Sequence, residues 1–178
     1  VILSTAGPFA RYSDLLVQAC VEQGTHYTDI TGENHWVRTL IDKHHENASL
    51  KGVRIVPSCG YDSIPSDIGT FFAVSQFNKP VKRVELFQEM QGGASGGTIE
   101  TAFSMGKLSK EMRDPFLLNP ENSSTEEQRK YSKDMMRIEK IEELDGWSGM
   151  FVMAAGNTRV VRRTAALMEQ NQNSYGAN

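Results

Sequence analysis

This sequence predicts an α/β fold, in which a partial parallel sheet covered by helices is followed by part of an α+β region. Three observations carry that reading. First, short apolar runs at residues 1–4, 26–30 and 52–56 each break into a loop rich in Gly, Thr, Ser, Asp or Pro, then into a segment with apolar positions at helical spacing. Second, the unit from Gly24 to Gly52 repeats the layout of the one before it, and repeated strand-helix units need right-handed crossovers that build a parallel sheet. Third, the pattern changes near residue 79. Residues 81–90 alternate, with Val84, Leu86 and Met90 on one side and Glu85 and Glu89 on the other, as in a strand with one exposed face. The domain boundary is therefore placed between residues 1–79 and residues 80–178.

Each element follows from local chemistry. Val1-Ile2-Leu3-Ser4 shows no alternation, as expected of a strand covered on both faces. Ser13 is placed to cap a helix with Leu15, Leu16, Ala19 and Cys20 on its apolar side, and Gly24 stops it. After the second strand Asn34 is expected as a cap, with Val37, Leu40, Ile41, His44 and Ala48 on one helix face. The third strand runs into Pro57-Ser58-Cys59-Gly60-Tyr61-Asp62-Ser63-Ile64-Pro65-Ser66-Asp67, ahead of a helix facing inward through Ile68, Phe71, Phe72 and Ser75. Beyond residue 79, a glycine loop at 92–98 leads into a helix through Ala102, Phe103 and Leu108. Residues 114–124 read as loop, and Thr125 with Gln128 as a capping box. The charged helix that follows has only a narrow stripe of Tyr131, Met135, Ile138, Ile141 and Leu144. Residues 114–145 are thus expected to form a peripheral appendage with few contacts. Residues 150–155 read as a buried strand, and Asn157 as the cap of a last helix lined by Val160, Val161, Thr164, Ala165 and Met168. The tail from residue 170 reads as loose polar chain.

At 178 residues the chain is long enough for a sizeable core. A net charge of -3 and an isoelectric point near 5.8 give no electrostatic footprint for nucleic acid or an anionic membrane, so neither is expected as a partner. The hydrophobic fraction of 39% is on the polar side for a globular domain, as a polar insertion or an incomplete core would give. Cys20 and Cys59 form neither a disulfide framework nor a metal knuckle, which fits a reducing compartment. No apolar run nears the roughly 20 residues of a membrane span. The amino terminus lacks a signal-peptide layout, so a cytoplasmic location is expected. The start at Val1, inside a strand, reads as the middle of a longer protein.

In a parallel sheet the loops at the carboxyl ends of the strands carry the chemistry, so the loops around Gly7, Gly32 and Asp62 are expected along one edge. Thr5-Ala6-Gly7-Pro8 offers backbone N–H groups without bulky side chains, suited to a sugar or flat ring and equally to a tight turn. Asp29, Glu33, Asp62 and Asp67 put four carboxylates on this edge. Asp67 reads as a helix-start residue, while for Glu33 and Asp62 site chemistry and turn building stand level. Tyr61 can donate to a carbonyl substrate or pack half-buried, and Cys59 reads as a small hydrophobe. His26, His35, His44 and His45 show no ligand spacing, so no metal is expected. The 92–98 loop can cradle an anion but lacks the G-x-G-x-x-G order. Arg159, Arg162 and Arg163 read as a solvated basic face.

Four ordered stretches carry a family resemblance: Gly24-Thr25-His26-Tyr27-Thr28-Asp29-Ile30-Thr31-Gly32-Glu33, Cys59-Gly60-Tyr61-Asp62-Ser63-Ile64-Pro65-Ser66-Asp67, Gly93-Ala94-Ser95-Gly96-Gly97-Thr98 and Asn157-Thr158-Arg159-Val160-Val161-Arg162-Arg163. Together they resemble the saccharopine dehydrogenase-like oxidoreductases, especially the bacterial branch called trans-acting enoyl reductases. The resemblance implies a Rossmann-like NAD(P)-binding domain, of which residues 1–79 would be the carboxyl-terminal part, and a substrate and dimerisation domain, of which residues 80–178 would be part. On that analogy Thr5, Ala6, Gly7 and Pro8 lie along the nicotinamide half of the cofactor. Asp29, beside the cofactor, faces the cleft between the domains with Glu33, Tyr61 and Asp62, the last three as catalytic candidates and Tyr61 and Asp62 as proton donors. The implied reaction is hydride transfer between NAD(P) and a C=C, C=O or C=N bond of a small-molecule substrate, in a homodimer. Family members carry a further strand and phosphate loop upstream, so this chain alone is expected to bind NADPH weakly or not at all and to be inactive. The competing readings are a non-catalytic dimerising or binding scaffold with the same fold, and a carboxylate-based hydrolase using Glu33 and Asp62.

Overall fold

Three short strands, β1 (Ile2–Ser4), β2 (Tyr27–Asp29) and β3 (Ile55–Val56), lie parallel in the order β1-β2-β3 in the computed structural model of the chain. The description covers residues 1–79, 81–89, 96, 113–132, 137–149, 151 and 153–170. Register places Leu3 beside Thr28 and Thr28 beside Val56, with Ser4 beside Asp29. Because strand side chains alternate, Tyr27, Ser4 and Asp29 share one face and Leu3, Thr28 and Val56 the other. Tyr27, Ser4 and Asp29 are buried, whereas on the second face Leu3 and Val56 stand exposed. Among the described residues helices cover one side only, which an unalternated apolar run cannot reveal, since it records the residues and not the layers above them.

Each strand feeds a helix: α1 (Phe9–Tyr12) and α2 (Asp14–Glu22) after β1, α3 (Asn34–Leu50) after β2, and α4 (Ile64–Ser75) after β3. Gly24 and Gly52, both left-handed at φ 66° and 64°, follow the ends of α2 and α3, where any side chain would be strained. The capping residues are used otherwise than expected. Ser13 precedes α2 with no capping bond from its side chain, which faces the Tyr27 hydroxyl, and Asn34 is the first residue of α3 rather than its cap.

The core comprises Phe9, Val17, Cys20, Tyr27, Trp36, Val37, Leu40 and Leu118, with Leu117 and Val160 packed against it. The Phe9 and Trp36 rings stack 5.9 Å apart. Residues on both sides of position 79 therefore share one core. The expectation that residues 114–145 form an appendage fails at its start, because Phe116 and Leu118 are buried. Beyond that start the expectation holds in part. Thr125 and Gln128 form the capping box of α5 (Glu126–Tyr131), none of whose residues is buried. The expected long helix gives way to an antiparallel hairpin, β4 (Glu139–Ile141) and β5 (Gly146–Ser148), turned by Asp145 in the left-handed region. Asp145-Gly146 is a hairpin signal that helical spacing had masked.

The last helix, α6 (Ala154–Gln170), starts before Asn157, so Ala154 and Ala155 are helical rather than strand. It packs along α4, and the contact is polar where apolar faces were expected. α4 turns Ser66, Asp67, Thr70 and Val74 inward and leaves Ile68 and Phe72 exposed. Residues 81–89 form no strand pairing among the described residues, and Val84, Leu86 and Phe87 are exposed. The 92–98 loop and the helix through Leu108 lie outside the described residues, apart from Gly96.

Candidate functional site

The strands are parallel, so the loops around Gly7, Gly32 and Asp62 leave the same edge of the sheet, and the structure shows what fastens them together. Asp29 ends β2 and is 0% exposed. Its Oδ1 accepts the Thr31 and Ser58 amides at 2.9 and 3.0 Å, its Oδ2 accepts the Tyr27 hydroxyl at 2.9 Å, and its backbone oxygen accepts the Cys59 amide at 2.7 Å. One residue thus fixes the loop after β2 and the loop after β3. Ser58 sits at φ 62°, a left-handed conformation uncommon for a side-chain-bearing residue, and its amide is held there by this carboxylate.

Glu33 performs the matching task for the first loop. Its two oxygens accept the amides of Phe9 and Ala10 at 2.8 and 3.1 Å, and its own amide donates to the Thr31 hydroxyl. The first amides of α1 have no partner within the helix, so a carboxylate there satisfies donors and favours the positive helix end. Burial pushes the Asp29 carboxyl above the usual range, against the lowering effect of its three donors, and the charge of Glu33 pushes the same way. Burial and the neighbouring Asp29 raise the Tyr27 phenol.

The other expected site residues stand in the open. Thr5, Ala6 and Gly7 are exposed and Pro8 partly so, and the Gly7-Pro8 bond is cis. Tyr61, 88% exposed, and Asp62 project from the third loop. Gly60 in that loop packs against Ile30, where an added Cβ would come within 3.0 Å of the isoleucine Cβ, so the second and third loops are in close contact. Cys59 is partly exposed and its thiol donates to the Val56 carbonyl oxygen.

Asp67 lies in the first turn of α4 but works in the α4–α6 contact. Thr164 donates to its Oδ2 at 2.9 Å, while its Oδ1 is buried without a partner among the described residues. Burial raises its pKa from 3.8 against the lowering Thr164 bond. A folded pKa above the unfolded one means that the folded state holds the proton more tightly, so this contribution is complete below pH 3.8 and is lost as pH rises through the folded value. Asp67→Asn is expected to flatten its share of the stability–pH curve and to leave stability at neutral pH equal or higher. Urea melts across the acid range check this; an unchanged slope would contradict it.

The arginines of α6 are not a solvated face. Arg159 is buried and donates to the Arg113 carbonyl, Arg162 donates to those of Pro115 and Ser132, and Arg163 donates to that of Leu118. Arg38 reaches the Leu117 and Asn119 carbonyls from α3. The carbonyls of residues 113, 115, 117, 118 and 119 in this turn are satisfied by these guanidinium groups. Burial and the nearby Arg38 bring Arg163 down to about 10. Sequence reasoning also missed Thr31, Ser58 and Ser63 as structural participants; the density of turn formers in these loops was the available signal.

A cavity of about 120 Å³ lined by Phe116, Asn119, Arg162 and Glu169 among others shares no residue with this edge. Among the described residues no group of three His, Cys, Asp or Glu could hold one metal ion, and no helix is long and apolar enough to cross a membrane.

Fold and site define an α/β protein whose loops gather at the carboxyl edge of a parallel sheet. The chain is similar to proteins named trans-acting enoyl reductase. It is 36% identical over 185 residues to the one from Mycobacterium ulcerans, and 35% identical over 189 residues to those from Mycobacterium tuberculosis and Mycobacterium bovis. In each case the match covers 95% of this chain and 44% of the relative, so the chain spans less than half the length of these relatives. No family model and no solved structure matches it.

Proposed function

We propose that the protein is an oxidoreductase of the enoyl reductase kind, which reduces an activated C=C bond with NAD(P)H at the edge formed by the loops 5–8, 30–34 and 57–63. The observation that supports this best is the likeness over 95% of the chain to proteins named trans-acting enoyl reductase. The saccharopine dehydrogenase-like assignment and the NAD(P) dependence are parts of the same proposal.

The residues present fit one half of such a cofactor. Thr5, Ala6 and Gly7 form an exposed, uncharged strip of small side chains at the end of β1, suited to a nicotinamide ring and its ribose. They do not fit the pyrophosphate. The first amides of α1, which would otherwise face an anion, are already bonded to Glu33, and a carboxylate at that point repels phosphate. When bound, the nicotinamide supplies the hydride. The chain's part is to hold substrate and proton donor in place: Tyr61 and Asp62 project where a substrate can meet them, while Asp29 and Glu33 keep the loops in register. Pairing of two copies, which the family resemblance implies, belongs to the same proposal.

The test is loss of nicotinamide absorbance when the full-length protein carrying this sequence is mixed with NADPH and an enoyl thioester. Tyr61→Phe is expected to lower kcat about a hundredfold or more, the range for a lost general acid, with little change in KM. Absence of NADPH consumption with enoyl, carbonyl and imine substrates alike would overturn the reading.

A further inference from the structure

The Asn157-Thr158-Arg159 stretch opens α6, and its first member lies on the third loop. Asn157 is buried, its Nδ2 donates to the Asp62 carbonyl at 2.7 Å and to the Ser66 hydroxyl at 3.2 Å, and its Oδ1 accepts the Ser63 hydroxyl at 3.1 Å. The amide orientation is fixed by chemistry, because a carbonyl only accepts and the atom facing Asp62 must therefore be the nitrogen. One residue earlier, the Gly156 carbonyl accepts the Asn34 Nδ2 at 2.9 Å. The amino end of α6 therefore grips the second loop at Asn34, the third at Asp62 and Ser63, and the start of α4 at Ser66, across more than 90 positions of sequence.

An amide with its donors and its acceptor all used by this loop and the first turn of α4 behind it is more than packing requires. Any small side chain would fill the same space. What Asn157 adds is a fixed position for the backbone that carries Tyr61 and Asp62, whose side chains project into solvent with no packing of their own to orient them. Thr164, two turns further along α6, bonds Asp67 in the same helix contact.

We infer that Asn157 is a positioning residue for the proposed site, locking the loop of Tyr61 and Asp62 in the geometry that presents them to substrate. The kinetic part of this inference rests on the oxidoreductase reading; the structural part does not. Asn157→Asp keeps the shape and the acceptor for Ser63 but sets a carboxylate against the Asp62 carbonyl. In the full-length protein it is expected to speed amide exchange at residues 60–63 about tenfold while that of β2 is unchanged, as local opening would. It should also lower kcat about tenfold with KM for NADPH held, the signature of lost orientation rather than lost binding. Acidification should recover part of the loss, since the introduced carboxyl then regains a proton to donate.

Thr164→Val is the control and should alter neither loop exchange nor kcat. If Asn157→Asp fails to fold, Asn157→Ser, which buries no charge, is read by the same criteria. Unchanged exchange at 60–63, or an equal loss of kcat in Thr164→Val, would overturn the inference. A wild-type protein that transfers no hydride would sink the oxidoreductase reading, leaving the loop-locking claim to be decided by exchange alone.

Discussion

Asp29→Ala is expected to abolish cooperative folding or come close to it. It strips the acceptor from the Thr31 amide, the Ser58 amide and the Tyr27 hydroxyl, all buried. Each buried amide left without a partner costs about 1–3 kcal/mol, so the two together, with the phenol left to Ser13 and Ser4, take a large share of the ~5–15 kcal/mol that holds a typical domain. Asp29→Asn separates the acceptor from the charge. It retains an oxygen for the two amides, and its nitrogen can donate to the phenolic oxygen of Tyr27, so a loss of no more than about 1–2 kcal/mol is expected. Because the folded pKa of Asp29 is raised, the neutral variant should also remove a contribution to stability that declines as pH climbs above 3.8. Urea denaturation of the three proteins measures all of this. If Asp29→Ala melted within about 1 kcal/mol of the wild type, the two loops would have to be held by something other than this carboxylate.

The same carboxylate shows how far the sequence could be read. An acidic residue at the end of a strand in an α/β chain signals the functional edge, and the edge is where it stands. Whether such a group meets a ligand or a backbone amide depends on which donors the folded loops bring within 3 Å, and composition does not hold that information. Gly24 and Gly52 were legible because a left-handed helix end is a local demand that only glycine meets without strain. The polar contact between α4 and α6 was not, since periodicity scores apolar stripes and here Ser66, Asp67 and Thr70 face inward while Phe72, 67% exposed, faces out. The hairpin at 139–148 was hidden by a chance recurrence of Tyr131, Ile138, Ile141 and Leu144 at near-helical spacing. For Asn157 the sequence marked the place but suggested the wrong partner: a helix cap bonds its own helix, whereas this side chain bonds another.

Leu118→Ala is expected to be a costly truncation of the apolar core. The side chain is 1% exposed and packs with Phe9, Val17, Trp36 and Leu40, although it lies in a turn that reads in sequence as loop. Removal of a fully buried leucine costs about 2–5 kcal/mol, with the upper part of the range where the surroundings cannot collapse. Collapse is restricted here, because the turn is pinned from two helices by the Arg38, Arg159, Arg162 and Arg163 bonds to its carbonyls. Trp147, exposed on β5, is the contrast: Trp147→Ala should shift stability by no more than about 0.5 kcal/mol. The shape of the transition is as informative as its midpoint. A turn that completes the core of residues 1–79 should melt with the sheet, so Leu118→Ala should move one single transition to lower denaturant without splitting it. Two transitions, with the variant shifting only one of them, would mean that residues 113–119 fold with a separate unit and that the core described around Trp36 closes without them.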